Sequence, residues 1–208
     1  ILFSNQARGF WKTYPVAVPL TSRLEIGRRP FIRPLVHLLD TYGSYGVVIV
    51  DRQGARLYNI HMGRLLESRG YLGEEIRKLK KGGGSSRGGS VASRSGGRGG
   101  SQREREVMTQ NLRDVVEVAA EFFAGKKIRH LLIAGTEETV AQFRELLPKQ
   151  LADTVLGTFS MEMTAKDNEV LERSLEIVRQ ADQERAVKLV ETTITAAAKG
   201  SNGVIRLD

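Results

Sequence analysis

The sequence predicts an α/β fold in which helices flank a mixed β-sheet and a long Gly/Arg-rich loop joins one strand to a long helix. Three features of its 208 residues lead to this prediction. Short runs of β-branched residues, as at 47–50, are typical of buried strands. They alternate with stretches of helical apolar spacing, as at 107–123, which is the order expected of an α/β layer. The tract at 82–101 fits neither period and lies between a strand and the helix that follows it.

The first forty residues predict strands followed by a helix. Residues 1–20 alternate apolar and polar side chains, which is typical of strands. We expect the aromatic side chains of this segment to lie in a core rather than to stack on bases: Phe10, Trp11 and Tyr14. Apolar residues at 31–39 have helical spacing, and this helix should end before Gly43.

The next segment predicts three consecutive strands. Residues 46–51 form a continuous β-branched run of the kind found in buried strands, and the turn at 52–54 contains a glycine. Residues 55–62 should pair back on this strand, and residues 63–68 should form a third. These strands bring the chain to the start of the Gly/Arg-rich tract.

The positive charge is concentrated between Lys80 and Glu106. Of the formal net charge of +8, this stretch contributes +5, and it holds nine of the 22 glycines. Its cations are Lys80, Lys81, Arg87, Arg94, Arg98, Arg103 and Arg105. A Gly/Ser-rich segment has little to bury and behaves as a flexible coil, so one interpretation is a plain linker. The spaced arginines favour a second interpretation, contact with RNA phosphates and bases.

Downstream of the tract, the sequence predicts alternating helices and strands. Apolar residues at helical spacing indicate a helix from about 104 to 124, with Gly125 as its C-cap. Thr136 is a suitable N-cap for a second helix, in which Glu137 and Glu138 are first-turn residues rather than catalytic acids. The remaining elements are strands at 128–134 and 155–161 and a long helix at 167–190.

The composition excludes several classes of protein. The chain has no cysteine, so it contains no disulfide, thiolate metal site or cysteine nucleophile, and its three histidines are too far apart for a local metal motif. Its apolar runs are much shorter than the ~20 residues that cross a bilayer. Phosphate-loop, dinucleotide and nucleophile-elbow motifs are missing. We therefore expect a soluble, cytoplasmic protein with no metal, no cofactor and no membrane partner.

The start of the predicted long helix carries the most informative motif. Residues 97–102 read Gly-Arg-Gly-Gly-Ser-Gln and lead, through a basic helix, to Leu-Leu-Ile-Ala-Gly at 131–135. Together with Tyr-Gly-Val-Val-Ile-Val-Asp at 45–51, these segments resemble the middle domain of the eukaryotic and archaeal-type class 1 peptide chain release factors, a superfamily with bacterial members. The resemblance extends over about residues 40–180.

The resemblance implies a division into three domains. Residues 1–40 correspond to the C-terminal part of a first domain, and residues 41–190 to a middle domain with a catalytic loop at 82–102. Residues 191–208 correspond to the start of a third domain. The chain begins without Met and stops after the strand-like residues 204–207, so we expect it to be a fragment of a longer polypeptide.

The resemblance also implies an activity. The classical members of the superfamily carry Gly-Gly-Gln, whereas this chain has Gly99, Gly100, Ser101 and Gln102, one residue longer. This variant is similar to the relatives that cleave peptidyl-tRNA on stalled ribosomes in quality control, and to the bacterial members of the superfamily. These four residues would then be catalytic, with Gln102 entering the peptidyl transferase centre. The implied partners are the ribosomal RNA of that centre, peptidyl-tRNA and, by analogy, a delivering translational GTPase.

The chemistry of a glutamine is consistent with this role. Its neutral amide does not act as a general base, but it positions a water, and a backbone N–H stabilises a developing oxyanion. The alternative function is a non-catalytic ribosome or RNA binder, such as a hibernation or stalling factor. Because a binder has no need of glutamine at this place, Gln102 favours the hydrolase. With either function, we expect Ser101 to be the N-cap of the helix and Glu104 to complete a capping box.

Overall fold

The computed structural model describes residues 1–18, 20–74 and 98–200, with backbone alone at 98–101. The chain begins with an antiparallel hairpin of β1 (Leu2–Asn5) and β2 (Phe10–Thr13), which a 3-10 turn connects. The helix α1 (Arg33–Tyr42) follows and ends before Gly43, as the sequence predicts.

The aromatic side chains of the hairpin correct the sequence prediction. Trp11 and Phe10 are 68% and 50% exposed, and Tyr14 is 38% exposed, so they do not belong to a core. A two-stranded hairpin buries side chains only where a second layer covers it. In the part of the chain that the structure describes, no such layer covers Trp11 and Phe10.

A five-stranded mixed sheet forms the centre of the fold, and its strand order is β5-β4-β3-β6-β7. The strands β3, β4 and β5 form an antiparallel meander, whereas β6 and β7 run parallel to β3. The strands are β3 (Ser44–Val50), β4 (Gly54–His61), β5 (Arg64–Leu72), β6 (His130–Gly135) and β7 (Val155–Phe159). The later helices are α2 (Arg98–Phe123), α3 (Glu137–Leu146), α4 (Lys149–Ala152) and α5 (Asp167–Ala198). This architecture confirms the predicted α/β class with a mixed sheet.

Helices cover both faces of the sheet, which explains the continuous apolar run of β3. Val48 and Val50 pack with α2 and α3 in one core, and Val47 and Ile49 pack with α5 in the other. Alternate side chains of a strand point to opposite faces, so a strand buried on both faces has no polar positions. The β-branched run is therefore a direct consequence of the three-layer arrangement.

The long helix α2 begins earlier than the sequence predicts. The expected start was near Glu104, but α2 starts at Arg98, so Ser101 lies inside the helix. The prediction that Ser101 is the N-cap and Glu104 its capping-box partner is therefore wrong. This first turn contains two glycines, which disfavour a helix, and no apolar residue, so the pattern contained no signal for it. The helix α5 likewise ends at Ala198, eight residues beyond the predicted end.

The carboxyl ends of four strands lie along one edge of the sheet. Because β5, β3, β6 and β7 all run in one direction, their carboxyl ends lie along the same edge. We call it the carboxyl edge. The helix α2 meets this edge at Asn111, which contacts Arg52 after β3, and ends at the opposite edge, where Phe123 contacts the start of β3 beside Gly46. The first turns of α2, from Arg98 onward, therefore extend beyond the carboxyl edge, whereas Glu74 lies at it.

Candidate functional site

The motif predicted to be catalytic lies in the first turns of α2. Gly99, Gly100 and Ser101 have helical backbone, and Gln102 follows them as an exposed residue of the same helix. The Gln102 side-chain amide donates through Nε2 to Oε1 of Glu106 at 3.1 Å. Gln102 is thus presented to solvent beyond the carboxyl edge, with its amide paired to a carboxylate one turn along the helix.

The predicted RNA-binding cations are only partly within the described structure. Arg103 and Arg105 are exposed on α2 beside Gln102. Arg98 is described by its backbone, which opens the helix. Four of the predicted cations lie outside the described residues, as does most of the predicted loop 82–102: Lys80, Lys81, Arg87 and Arg94.

A rigid turn between β3 and β4 lies against α2 at the carboxyl edge. Asp51 Oδ1 accepts hydrogen bonds from the backbone N–H groups of Gln53 and Gly54, both at 2.8 Å. An aspartate that binds the backbone two and three residues onward stabilises a tight turn. The Gln53 carbonyl in turn accepts from the N–H of Gly73, just after β5, at 2.6 Å. The turn therefore ties the end of β5 to the carboxyl edge.

Asn111 joins α2 to the same turn. Its side chain is buried, with only 2% exposed, and its Nδ2 donates to the carbonyls of Arg52 at 3.1 Å and Glu74 at 3.0 Å. Its Oδ1 accepts from the N–H of Glu74 at 2.9 Å. Sequence reasoning missed Asn111, although a polar residue between Met108 and Leu112 on an otherwise apolar helical face is a detectable signal.

Two further contacts hold β5 against α2. The Tyr71 hydroxyl donates to Asp114 Oδ2 at 3.1 Å, and Arg69 pairs with Glu121 at 3.2 Å. Burial and the neighbouring Asp114 carboxylate raise the pKa of Tyr71, so its hydroxyl stays a donor. The edge strand is thus attached to α2 along much of its length.

The first turn of α3 also contacts the β3–β4 turn. Thr136 caps this helix through its hydroxyl, as predicted, and Glu138 pairs with Arg52 at 3.1 Å. Both partners of this ion pair are exposed, so it contributes at most about 1 kcal/mol to folding. Glu137 and Glu138 lie in the first turn of α3, as the sequence predicts.

On the opposite face, a polar cluster fixes the connection from β7 to α5. Arg56 donates to the carbonyls of Met163 and Ala165 and pairs with Asp167 at 2.7 Å. The Tyr58 hydroxyl donates to the same carboxylate at 3.2 Å. Burial raises the pKa of Tyr58 to about 12. These contacts lie on the α5 side of the sheet, away from Gln102, and have a structural role.

The described residues contain neither a metal site nor a helix that could span a membrane. Over 1–18, 20–74 and 98–200, no group of three or more His, Asp or Glu side chains is arranged to hold a metal ion. His61 lies in β4 with Nδ1 at 3.0 Å from Ser44 Oγ. Within the same ranges, every helix is too short or too polar to span a bilayer.

The donors near Gln102 define the chemistry that this end of α2 offers. Gln102 supplies a neutral amide, which holds a water or a carbonyl oxygen without titrating. Arg103 and Arg105 supply guanidinium groups, whose planar donor arrangement suits phosphate. The arrangement therefore fits the binding of a phosphate backbone beside an ester or amide carbonyl.

Three solved structures are similar to the chain at low identity. They are an archaeal translation termination factor, aRF1 (TM-score 0.44, 16% identity), a structure titled only as an archaeal protein (0.43, 14%) and Archaeoglobus fulgidus Pelota (0.42, 13%). The alignments cover 76%, 96% and 81% of this chain, but 41%, 54% and 44% of the respective relatives. The chain thus spans about half the length of these proteins.

Comparisons of the sequence itself are more specific. No curated protein matches it significantly. The family described as bacterial archaeo-eukaryotic release factor family 10 matches residues 30–179, which include α1, the whole mixed sheet and the Gly-Gly-Ser-Gln motif. Since this match spans most of the chain, the protein belongs to bacterial archaeo-eukaryotic release factor family 10.

Proposed function

We propose that this protein releases nascent chains by hydrolysing the ester bond of peptidyl-tRNA on the ribosome, with Gln102 as the residue that positions the attacking water. The observation that carries the proposal is the exposed placement of Gln102 in the first turns of α2, two residues after Gly100 and beyond the carboxyl edge. Membership of a release-factor family supports it. The reaction serves either ribosome rescue or termination.

The proposed roles follow from the chemistry of the residues. The Gln102 amide holds a water against the ester carbonyl, and a backbone N–H of the same segment stabilises the oxyanion that develops. Gly99 and Gly100 lack a Cβ, so the main chain passes close to crowded RNA. Because an amide is no base at neutral pH, the proton of the water passes to a group of the RNA or the tRNA.

The proposal includes the partners and domain division that the sequence resemblance implies. The cations at 80–105 bind ribosomal RNA phosphates on the approach to the peptidyl transferase centre. A translational GTPase delivers the full-length protein, which acts in the cytoplasm. Residues 41–190 form the middle domain, residues 1–40 end a first domain and residues 191–208 begin a third.

The test is release of a labelled nascent peptide from ribosome-bound peptidyl-tRNA by the full-length protein. Gln102→Ala should lower the single-turnover release rate by about 10²-fold, the cost of removing one placed donor, while ribosome binding persists. Gly100→Ala should also impair release. Gln180→Ala is a matched control, because Gln180 donates to Glu184 at 3.1 Å on α5 in the same way.

A non-catalytic ribosome binder is the second candidate. The pairing of Gln102 with Glu106 favours it, because an amide engaged within its own helix needs no catalytic role. This candidate predicts tight, salt-sensitive ribosome binding with no release by the wild type. Release that is insensitive to Gln102→Ala would also contradict the proposed hydrolase.

A further inference from the structure

Asn111 is a buried polar residue with no part in the chemistry proposed above. Its amide uses both donors and its acceptor, because Nδ2 serves two carbonyls and Oδ1 serves one N–H. Aspartate has no donors for the two carbonyls, and an apolar residue would leave the N–H and both carbonyls unpaired. Only an amide of this length satisfies all three backbone groups.

The fit around this amide is close. A Cβ added to Gly73 would lie 2.3 Å from Asn111 Oδ1 and 3.0 Å from the carbonyl of Gln53. The chain after β5 therefore approaches α2 more closely than any residue with a side chain allows. We use the name Asn111 clamp for the three hydrogen bonds of the Asn111 amide together with the close approach of the Gly73 backbone to this side chain.

The clamp joins three elements that meet at the carboxyl edge. The Asn111 side chain, which belongs to α2, binds the β3–β4 turn at Arg52 and the segment just after β5 at Glu74. Asp51 makes the turn rigid through its two backbone hydrogen bonds. The rotation and lateral position of α2 are therefore fixed against a rigid support at this point.

Gln102 lies nine residues before Asn111 on the same helix, a distance of about 13 Å along the axis at 1.5 Å per residue. At about 100° per residue, the two side chains are on opposite sides of α2. This phase agrees with the buried side chain of Asn111 and the exposed side chain of Gln102. Any rotation of α2 at the clamp would therefore swing Gln102 to a different direction.

We propose that Asn111 is a positioning residue, which fixes the direction in which the first turns of α2 present Gln102 beyond the carboxyl edge. This inference rests on the proposed function for its catalytic consequence. Its structural consequence, the orientation of α2, is measurable without any hydrolysis. The two consequences are tested separately.

The catalytic test compares variants in the peptide-release assay with the full-length protein. Asn111→Ala removes the side chain that α2 contributes to the clamp. Gly73→Ala adds a methyl group to the segment after β5, where it would collide with Asn111. Each should lower the release rate at saturating protein about 10-fold or more, while the half-saturating concentration changes less than about 2-fold, since a 1 Å misplacement costs about 10²-fold in rate. The binding cations are untouched, so affinity should persist.

The matched control is Ser174→Ala on the other face of the sheet. Ser174 is fully buried, and its Oγ lies 3.1 Å from the Tyr45 hydroxyl. This variant should be less stable but keep the wild-type release rate once folded. An equal drop in release by Ser174→Ala, or wild-type rates in folded Asn111→Ala and Gly73→Ala, would overturn the proposal. If Asn111→Ala does not fold, Gly73→Ala decides.

The structural test uses spin labels in a chain that has no native cysteine. Labels at Arg105→Cys on α2 and Glu172→Cys on α5 report the orientation of the first turns of α2 relative to the sheet. Gly73→Ala should broaden or shift the distance distribution, and Ser174→Ala should not. An unchanged distribution would overturn the positioning role. A wild type without release activity, combined with a shifted distribution, would refute the proposed function and keep the clamp.

Discussion

The amide of Gln102 donates to the carboxylate of Glu106 at 3.1 Å, and both residues are exposed on the first turns of α2. Pairs of this kind, four residues apart on a helix, contribute only about 0.2–0.5 kcal/mol. Thermal fluctuations at room temperature therefore break the contact often. The pairing orients the Gln102 side chain along the helix. Breaking this hydrogen bond, so that the amide can turn toward a substrate, costs little free energy.

Glu106→Ala should leave release intact or raise it up to about 2-fold, because it removes the acceptor that competes for the Gln102 amide. The free energy of unfolding should change by less than about 0.5 kcal/mol. The measurement is single-turnover peptide release, with Glu184→Ala on α5 as the control that removes the same type of contact elsewhere. A 10-fold decrease in Glu106→Ala alone would assign Glu106 a direct role.

The cations outside the described residues should govern salt-dependent binding. Replacing Lys80, Lys81, Arg87 and Arg94 by Gln should reduce the slope of log affinity against log salt by about 0.7–0.9 for each phosphate that is no longer neutralised. Release at saturating protein should persist. Ribosome binding is measured from 50 to 200 mM salt, a range in which such contacts change affinity strongly.

The control for this charge effect carries the same net charge change at other sites. Four exposed cations outside residues 80–106 are replaced by Gln: Lys127, Arg144, Lys149 and Arg179. This variant should keep the wild-type slope if binding depends on local contacts at 80–105. An equal reduction in both variants would indicate that the overall charge of the protein, rather than this tract, attracts RNA.

Gly46→Ala should destabilise the chain by about 1–3 kcal/mol, the usual cost of forcing extra atoms into a packed core. A Cβ at Gly46 would lie 2.6 Å from the Phe123 ring and 3.0 Å from Leu131. Gly70→Ala in β5 is the control, because its Cβ would meet no atom within 4 Å. Urea unfolding checks both, and equal midpoints would contradict the close packing of α2 on β3.

The stability of the chain should depend on His130 between pH 7 and 5. Burial lowers the pKa of His130, and the nearby Arg185 and Arg129 lower it further. The unfolded chain therefore takes up the proton first as the pH falls, so stability decreases below the unfolded pKa of about 6.5. The carboxylates of Asp40 and Asp182 act in the opposite direction and only moderate the effect.

Urea unfolding at a series of pH values checks this prediction. His130→Gln should flatten the dependence of the free energy of unfolding on pH between 7 and 5. His37→Gln is the control, because His37 is exposed on α1 and keeps its solvent contact. A slope that is unchanged by His130→Gln, or removed by His37→Gln, would refute the assignment to His130.

Periodicity predicted those elements whose burial leaves a regular pattern. The run of β3 and the apolar stripe of α2 identified a sheet buried between helices, and Thr136 predicted the start of α3. The sequence predictions were wrong where burial does not determine the structure. The first turn of α2 and the last turns of α5 extend beyond their apolar patterns. Trp11, which the sequence predicted to lie in a core, is exposed because no layer within the described residues covers it.

The candidate site was predicted in part. The sequence alone determined the α/β class, the concentration of cations at 80–106 and the Gly-Gly-Ser-Gln motif, because these depend on local spacing and composition. The folded chain adds that Gln102 is helical and paired with Glu106, and that Asn111 joins Arg52 and Glu74 at the carboxyl edge. The Asn111 contacts bring together residues far apart in the chain. Which of them meet depends on sheet topology, which local spacing does not encode.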